Sequence, residues 1–496
     1  MNGLVIRHRA LVEGVLLLGV PLLVICSLWL TRSNEVTPVQ CLLGLALFFM
    51  PWAAYVRWRE RKSEEIPVLA MISFMYFLYY VPPLFWGDLS LADAHSPIGR
   101  RLPDEAITSA LLMSLLGVTC LWLGMRSQIG SFLVPQSLRF VSLKPNRLNY
   151  VRLVLIASSL LSLFDSSLLM FGEGGRNAIN IVVSVVPVLA FAILFRLYLR
   201  REATLPDKIL IGGFLLVRFL SGMSSGWLGV FASTVVICAV LYVAERKRIP
   251  RVALILVIAF TLFFQVGKED FRKQYWKEQR PAGRIERMSF WAEASFSKWQ
   301  EALSDPSGDG LKEVMNLSVS RLSLLTQTAN VLEQTPSVVP YQYGRLYSYM
   351  VITVIPRFVW PEKPSVNDAN QFYQVAYGLT REEDLEGVSI AVGVLTEGYM
   401  NFGWPGAMGI MFILGIFFGF YQRAFLSSGS GLLLTGLAIV LLPQFLSIES
   451  QMAQYLGGLL QQVALTVALM SPVIQVKRNP ESRATGTLPY QFEHAG

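Results

Sequence analysis

One feature constrains this chain above all others: apolar runs of membrane-crossing length, separated by connections that are alternately basic and poor in Lys and Arg. The runs fall at about 11–30, 39–56, 66–86, 106–125, 151–171, 177–199, 208–223, 226–244 and 251–267, with three more at about 404–422, 431–447 and 452–471. A helix of roughly 20 apolar residues crosses a hydrocarbon core, so only the 208–223 run is short. In lipid the backbone must satisfy its own hydrogen bonds, and runs of this length therefore read as helices. Composition agrees: 15% of residues are charged, against roughly 25% in soluble domains. The expected fold class is an all-α polytopic membrane protein of about twelve transmembrane helices.

The basic connections set the orientation. Arg57, Arg59, Arg61 and Lys62 share one of them, and Arg126, Arg139, Lys144 and Arg147 another; Arg200 with Arg201, and Arg246 to Arg248, follow. Such loops stay cytoplasmic, so both termini are expected inside and the long connection outside. Arg7, His8 and Arg9 precede the first run like a signal-peptide n-region, but the run exceeds a signal core, so a retained helix is expected. The implied divisions are helices 1–9 over 1–267, a large outer loop over 268–402, helices 10–12 over 403–476, and a flexible cytoplasmic tail over 477–496. Nine spans before the loop and three after it lack the matched halves of an inverted-repeat transporter. The net charge of +8 does not indicate nucleic acid, because the loop carries 14 Lys/Arg against 17 Asp/Glu and the excess lies in short connections. Cys26, Cys41, Cys120 and Cys238 all lie in apolar spans, and His8, His95 and His494 are far apart. Neither a loop disulfide nor a His/Cys metal site is expected.

Within the loop, Ile285, Met288, Ala292, Phe296, Trp299 and Leu303 share one helical face over 285–303. Leu311, Met315, Leu322, Leu325, Ala329 and Leu332 repeat the pattern over 311–333. Both stretches read as interfacial amphipathic helices. Tyr347 to Ile355 is apolar but too short to cross, as in a re-entrant or interfacial segment.

Ionisable groups near hydrocarbon cost about 2–3 kcal/mol or more, so each needs a reason. Asp165, Arg176 and Arg218 lie toward outer ends of spans, Lys268 and Arg272 follow the ninth span, and Arg321, Arg345, Arg357 and Lys363 lie in the loop. Glu397 sits in the apolar run 388–402, one helical turn from Asn401. Bland readings compete: Arg176 and Lys268 as snorkelling anchors, Arg218 as partner of Asp165, Asn401 as cap of a helix starting near Trp404, and the acidic run 382–386 as a solvated face. Cations gathered on the outer side suit a phosphate or pyrophosphate held by charge-assisted bonds. A carboxylate beside them suits general-base work toward a hydroxyl. Aromatics such as Tyr341, Tyr347, Trp360 and Tyr399 suit sugar rings and, equally, a membrane interface.

The run Ile355-Pro356-Arg357-Phe358-Val359-Trp360-Pro361-Glu362-Lys363-Pro364, followed by Glu397-Gly398-Tyr399-Met400-Asn401-Phe402-Gly403 and Gly406, resembles the signature of bacterial O-antigen polymerases of the Wzy type. Lys268-Glu269-Asp270-Phe271-Arg272 and Arg321-Leu322-Ser323 add to the likeness, which covers mainly 265–425. The resemblance implies a GT-C-like glycosyltransferase of the bacterial inner membrane that works without metal or cofactor. Such an enzyme joins oligosaccharide repeat units carried on undecaprenyl pyrophosphate at the periplasmic face, with a chain-length regulator among its partners. On that reading Arg321 and Arg357 hold the donor pyrophosphate and stabilise its leaving charge, and Glu397 orients or deprotonates the acceptor hydroxyl. Lys268, Arg272, Arg345, Lys363, Arg218, Arg176, Tyr399 and Asn401 complete the substrate surface. A related ligase is expected to use a loop histidine, which 268–402 lacks. A lipid-linked oligosaccharide flippase or other transporter, and a non-catalytic export scaffold, remain as alternatives. Replacement Arg357→Ala is expected to abolish chain extension while leaving the protein in the membrane; long polymer from that variant, read on gels, overturns the role.

Overall fold

A computed structural model describes residues 17–60, 66–93, 96–135, 138, 141–163, 185–277, 280, 282–320, 323–355, 360, 362–365, 368–385, 390, 392–427, 432–457 and 459–476. The tail 477–496, together with Asp165, Arg176, Arg321 and Arg357, lies outside the described residues. The helices of the first part are Leu17–Leu30 (α1), Pro38–Glu60 (α2), Val68–Trp86 (α3), Asp104–Arg126 (α4), Leu148–Leu163 (α5), Val186–Leu199 (α6), Leu205–Ser225 (α7), Leu228–Arg246 (α8) and Arg251–Val266 (α9). The predicted loop holds Arg284–Ser304 (α10), Asp309–Ser320 (α11), Leu325–Gln334 (α12), Arg345–Val354 (α13) and Asp368–Ala376 (α14). Val394–Phe425 (α15), Leu432–Leu446 (α16) and Leu459–Met470 (α17) complete the chain.

Among the described residues each apolar run holds a helix, and fewer than the expected twelve are of membrane-crossing length. Among the described residues seven helices are long and apolar enough to cross a membrane: α2, α3, α4, α7, α8, α15 and the segment Met452–Val473 that includes α17. An eighth appears if α9 and the helix after it, bent by 57°, form one broken span. The described parts of α1, α5, α6 and α16 are shorter. The 208–223 run, short by sequence, is a full-length helix. Thr204 and Asp207 form a capping box that starts it three residues earlier, and Arg152 of α5 binds Asp207 at 2.7 and 3.0 Å.

Packing centres on α4 and the second half of α15, which run parallel. A side chain at Gly124 would meet the Phe412 carbonyl at 2.1 Å, and one at Gly415 the Leu121 carbonyl at 2.2 Å. Gly117, Gly130 and Gly419 extend the seam along both helices. Lipid gives apolar side chains little reason to associate, so close backbone approach through small residues has to hold such helices together.

The basic connections meet at one end of the bundle. Lys247 stacks on Trp58, Arg246 donates to the Leu199 carbonyl, and Arg423 donates to the Met125 and Ser127 carbonyls. Elements of the predicted loop meet the opposite ends of the same helices. The Leu324 N–H donates to the Tyr79 carbonyl, Ser33 reaches Asn316, and Arg100 of the Ser90–Asp93/Ser96–Arg101 hairpin grips Glu333 bidentately.

Of the two helices expected in the loop, the first is present and the second divides. α10 exists, but its protein-facing side is Trp291, Ser295 and Ala302, packed on the end of α9, where the Trp291 indole donates to the Phe264 carbonyl. Three members of the predicted stripe, Ile285 (83%), Phe296 (62%) and Leu303 (71%), face outward. The predicted single helix over 311–333 is two. The second, α12, buries polar Thr326, Thr328 and Asn330 as well as Leu325, Ala329 and Val331, so it lies inside the fold rather than on a surface. An apolar-stripe reading misses this because hydroxyls from other elements satisfy its polar side.

Substitution Gly124→Leu is expected to cost at least the 1–3 kcal/mol typical of overpacking, seen as a lower thermal midpoint in detergent. Gly213→Leu, where no atom lies within 4 Å, serves as the neutral control; equal midpoints would remove the seam from its central place.

Candidate functional site

α15 is two helices. Phe402 and Gly403 leave helical geometry, Gly403 with φ 66° and ψ −153°, a conformation that suits glycine alone. Beyond this break the chain doubles back. A side chain at Gly398 would lie 2.9 Å from the Ala407 backbone, and one at Gly406 would lie 2.3 Å from the Gly398 carbonyl. Residues eight apart in a continuous helix are separated by about 12 Å. The segment from Val394 therefore forms a short helix folded alongside the span that follows. Leu395 and Met411 both reach Gly117 of α4, so the N-terminal end of the short helix is its deeper end.

Glu397 and Asn401 sit on the short helix, both with no exposed surface. One Glu397 oxygen, Oε2, accepts from the Met452 N–H at 2.6 Å, at the start of the Met452–Leu456 turn of helix. The other, Oε1, is buried with no hydrogen-bond donor. Asn401 does not cap the following helix as its bland reading held. Its Oδ1 accepts from the Gly344 N–H at 3.0 Å and its Nδ2 donates to the Glu397 carbonyl at 2.9 Å. The Gln342 and Tyr343 N–H groups donate to the Met400 and Asn401 carbonyls. Three successive amides of the 342–344 turn thus satisfy the end of the short helix, and Tyr343 and Gly344 adopt positive φ to do so.

Tyr347, one turn into α13, faces the same cluster, and its hydroxyl is also buried without a hydrogen bond. Burial, and then the charge of Glu397, hold this phenol well above its ordinary value; the nearby Asn401 side chain pulls the other way. A chain of hydroxyls continues inward: Tyr80 to Thr328 at 2.8 Å and Thr328 to Thr396 at 2.8 Å, all buried. Tyr377 bonds Thr335, and the Tyr373 hydroxyl donates to Gln327 at 2.5 Å.

The connection between the last two helical segments brings a second part of the sequence to this site. Gln451 donates to the Ala369 carbonyl and leaves its own Oε1 buried without a donor. Glu449 is hydrogen-bonded by Tyr79 and lies near Lys268; burial nevertheless holds its carboxyl above the usual glutamate range. Residues 449–452 therefore link Lys268 on one flank of the loop to Glu397 on the other. Sequence reasoning passed over Glu449, Gln451, Thr328 and Thr396. The polar stretch Ser447 to Gln451, between two apolar runs, was the available signal.

The other predicted residues divide. Arg345 is exposed beside the Gly344 turn, 5.8 Å from the Phe372 ring. Lys363 donates to the Ile355 carbonyl at 2.7 Å and toward Ile352, so it caps α13. Tyr399 is buried, its hydroxyl donating to the Thr335 carbonyl, and offers no open face. Arg218 and Arg272 belong elsewhere. Arg218 donates to Thr234 of α8, and Arg272 stacks on Trp276, which packs on Trp227. Among the described residues no group of three or more His, Cys, Asp or Glu could hold a metal.

Fold and site together define a helical membrane protein with a buried polar cluster at the end of the bundle opposite its basic connections. Residues 111–440 match a family described as a domain of unknown function (DUF8712), and the chain belongs to that family. No curated protein and no solved structure matches it.

Replacing Asn401 by Ala strips the Gly344 N–H of its acceptor, at a cost of about 1–3 kcal/mol. The expected result is a lower thermal midpoint in detergent. An unchanged midpoint for the Ala variant would show that the clasp carries no stability.

Proposed function

We propose that this protein is a membrane glycosyltransferase that polymerises oligosaccharide repeat units carried on undecaprenyl pyrophosphate, working at the end of the bundle opposite the basic connections. In a bacterial cell that end faces the periplasm, with the basic connections in the cytoplasm. The resemblance of 355–364 and 397–406 to O-antigen polymerases supports the reading. The observation that carries it is the Glu397 carboxylate: one oxygen is fixed by the Met452 N–H, and the other is left without a donor. A carboxylate oriented through one oxygen and vacant at the other is arranged to take a proton.

The reaction moves the growing chain from its pyrophosphate to a sugar hydroxyl on the next unit. The glycosidic bond to the pyrophosphate breaks, the pyrophosphate departs with the electron pair, and the acceptor hydroxyl loses a proton as the new bond forms. Glu397 receives that proton, directly or through the Tyr347 hydroxyl. Arg345, and Arg357 and Arg321 by resemblance, meet the leaving pyrophosphate. Because Glu397 is closed off, the acceptor reaches it by parting the 341–347 segment from the break in α15, where Tyr341 lies on Gly403.

The isosteric change Glu397→Gln keeps an acceptor for the Met452 N–H but cannot act as base. Purified variant protein, given undecaprenyl-pyrophosphate-linked oligosaccharide, is expected to extend it about 10²- to 10⁴-fold more slowly, as usual for loss of a general base. A full product ladder from that variant reduces Glu397 to a structural staple. Vectorial movement of substrate in proteoliposomes without lengthening favours a transporter instead.

A further inference from the structure

At the basic end, the C-terminal ends of α6 and α8 enclose a cleft of about 330 Å³ lined by Leu199, Arg200, Arg201, Glu202, Glu245 and Arg246. We infer that this cleft binds the phosphate headgroup of an anionic phospholipid in the adjoining leaflet.

Two observations on the backbone and one on the charges lead there. α6 closes with the Glu202 N–H on the Leu197 carbonyl and the Arg201 N–H on the Tyr198 carbonyl. That closure places Arg201 at φ 65°, where helices ordinarily end in glycine. α8 ends alike, with Lys247 at φ 52°. Two neighbouring helix ends thus carry a basic side chain at the one position where glycine would relax the backbone. Strain retained in this way marks positions whose side chain has a task.

The ion pairs then decide which charges face outward. Glu245 accepts from both Arg196 and Arg200, the latter at 3.1 Å, and its carboxylate is neutralised within the protein. Arg246 donates through Nη2 to the Leu199 carbonyl at 2.9 Å, which holds its guanidinium at the cleft and leaves its other donors for a ligand. Arg201 is exposed and makes no ion pair among the described residues. Glu202, the other lining carboxylate, is exposed to solvent. Arg201 and Arg246 therefore form a fork for phosphate oxygens, and guanidinium suits those oxygens better than ammonium does.

The surroundings favour a lipid over a soluble anion. Leu205 and Ile209 at the start of α7, Ile249 between α8 and α9, and Val252 at the start of α9 are exposed apolar residues that follow the two basic turns directly. A phosphate held by Arg201 and Arg246 would leave acyl chains beside apolar surface, the arrangement of basic pockets between membrane helices that hold anionic headgroups.

The test uses the full-length protein in detergent, read by native mass spectrometry with phosphatidylglycerol, cardiolipin or phosphatidylcholine, and in a separate arm with inorganic phosphate. Retention of the two anionic lipids over phosphatidylcholine is expected. The variant Arg201→Gly should weaken their binding about fivefold, the effect of one basic residue near a lipid surface. Because glycine suits φ 65°, the lipid-free variant should melt at or above the wild-type temperature, which separates lost binding from lost folding. Equal retention of phosphatidylcholine, unchanged binding by the variant, or displacement by inorganic phosphate at matched concentration would each overturn the assignment.

Discussion

The close approach of backbone to backbone along one seam of glycines is what the rest of the structure depends on. Gly117, Gly124, Gly415 and Gly419 let α4 and the second half of α15 touch, and Gly398 with Gly406 lets the short helix fold back beside them. Without side chains in the way, dispersion and backbone contact replace the hydrophobic drive that lipid removes. The same seam fixes how deep Glu397 lies, because Leu395 and Met411 meet at Gly117. A carboxylate buried this way is tolerable only where protein groups face it, and the Met452 amide supplies one.

Around that seam the polar groups are shared between distant parts of the chain. The site draws on α3 through Tyr80, α12 through Thr328, the 342–344 turn, α13 through Tyr347 and the 449–452 connection. Burial of so many hydroxyls and amides is costly unless each is paired, and most are. Among the buried polar atoms left without a partner, Oε1 of Glu397, Oε1 of Gln451 and the Tyr347 hydroxyl lie at the candidate site. Lys268 joins it through Glu449, although 181 residues separate the two in sequence, by the difference of their numbers.

The two ends of the bundle differ in how they use charge. Opposite the loop, arginines pair with Glu245 and with exposed helix carbonyls, which suits cations at helix C-termini. At the loop end Lys363 caps α13 and Arg100 is held by Glu333. The basic connections gather at one end of the bundle, and Arg345 stays exposed beside the site at the other.

Much of the architecture was legible in the sequence because a membrane helix announces itself locally. Length and apolarity located a helix at each run, the basic connections foretold that those turns would gather, and a helix start near Trp404 was expected where α15 breaks. Glu397 and Asn401 stood out because polar residues are conspicuous in an apolar run. The sequence alone could not say that Asn401 clasps Gly344 rather than capping the next helix, or that Tyr399 is closed off. Nor could it say that α12 hides its polar side, because threonine and asparagine look solvent-facing until other elements bring partners. Those outcomes rest on hydrogen bonds between residues as far apart as Tyr80 and Thr328, and pairing at that range is decided only when the helices pack.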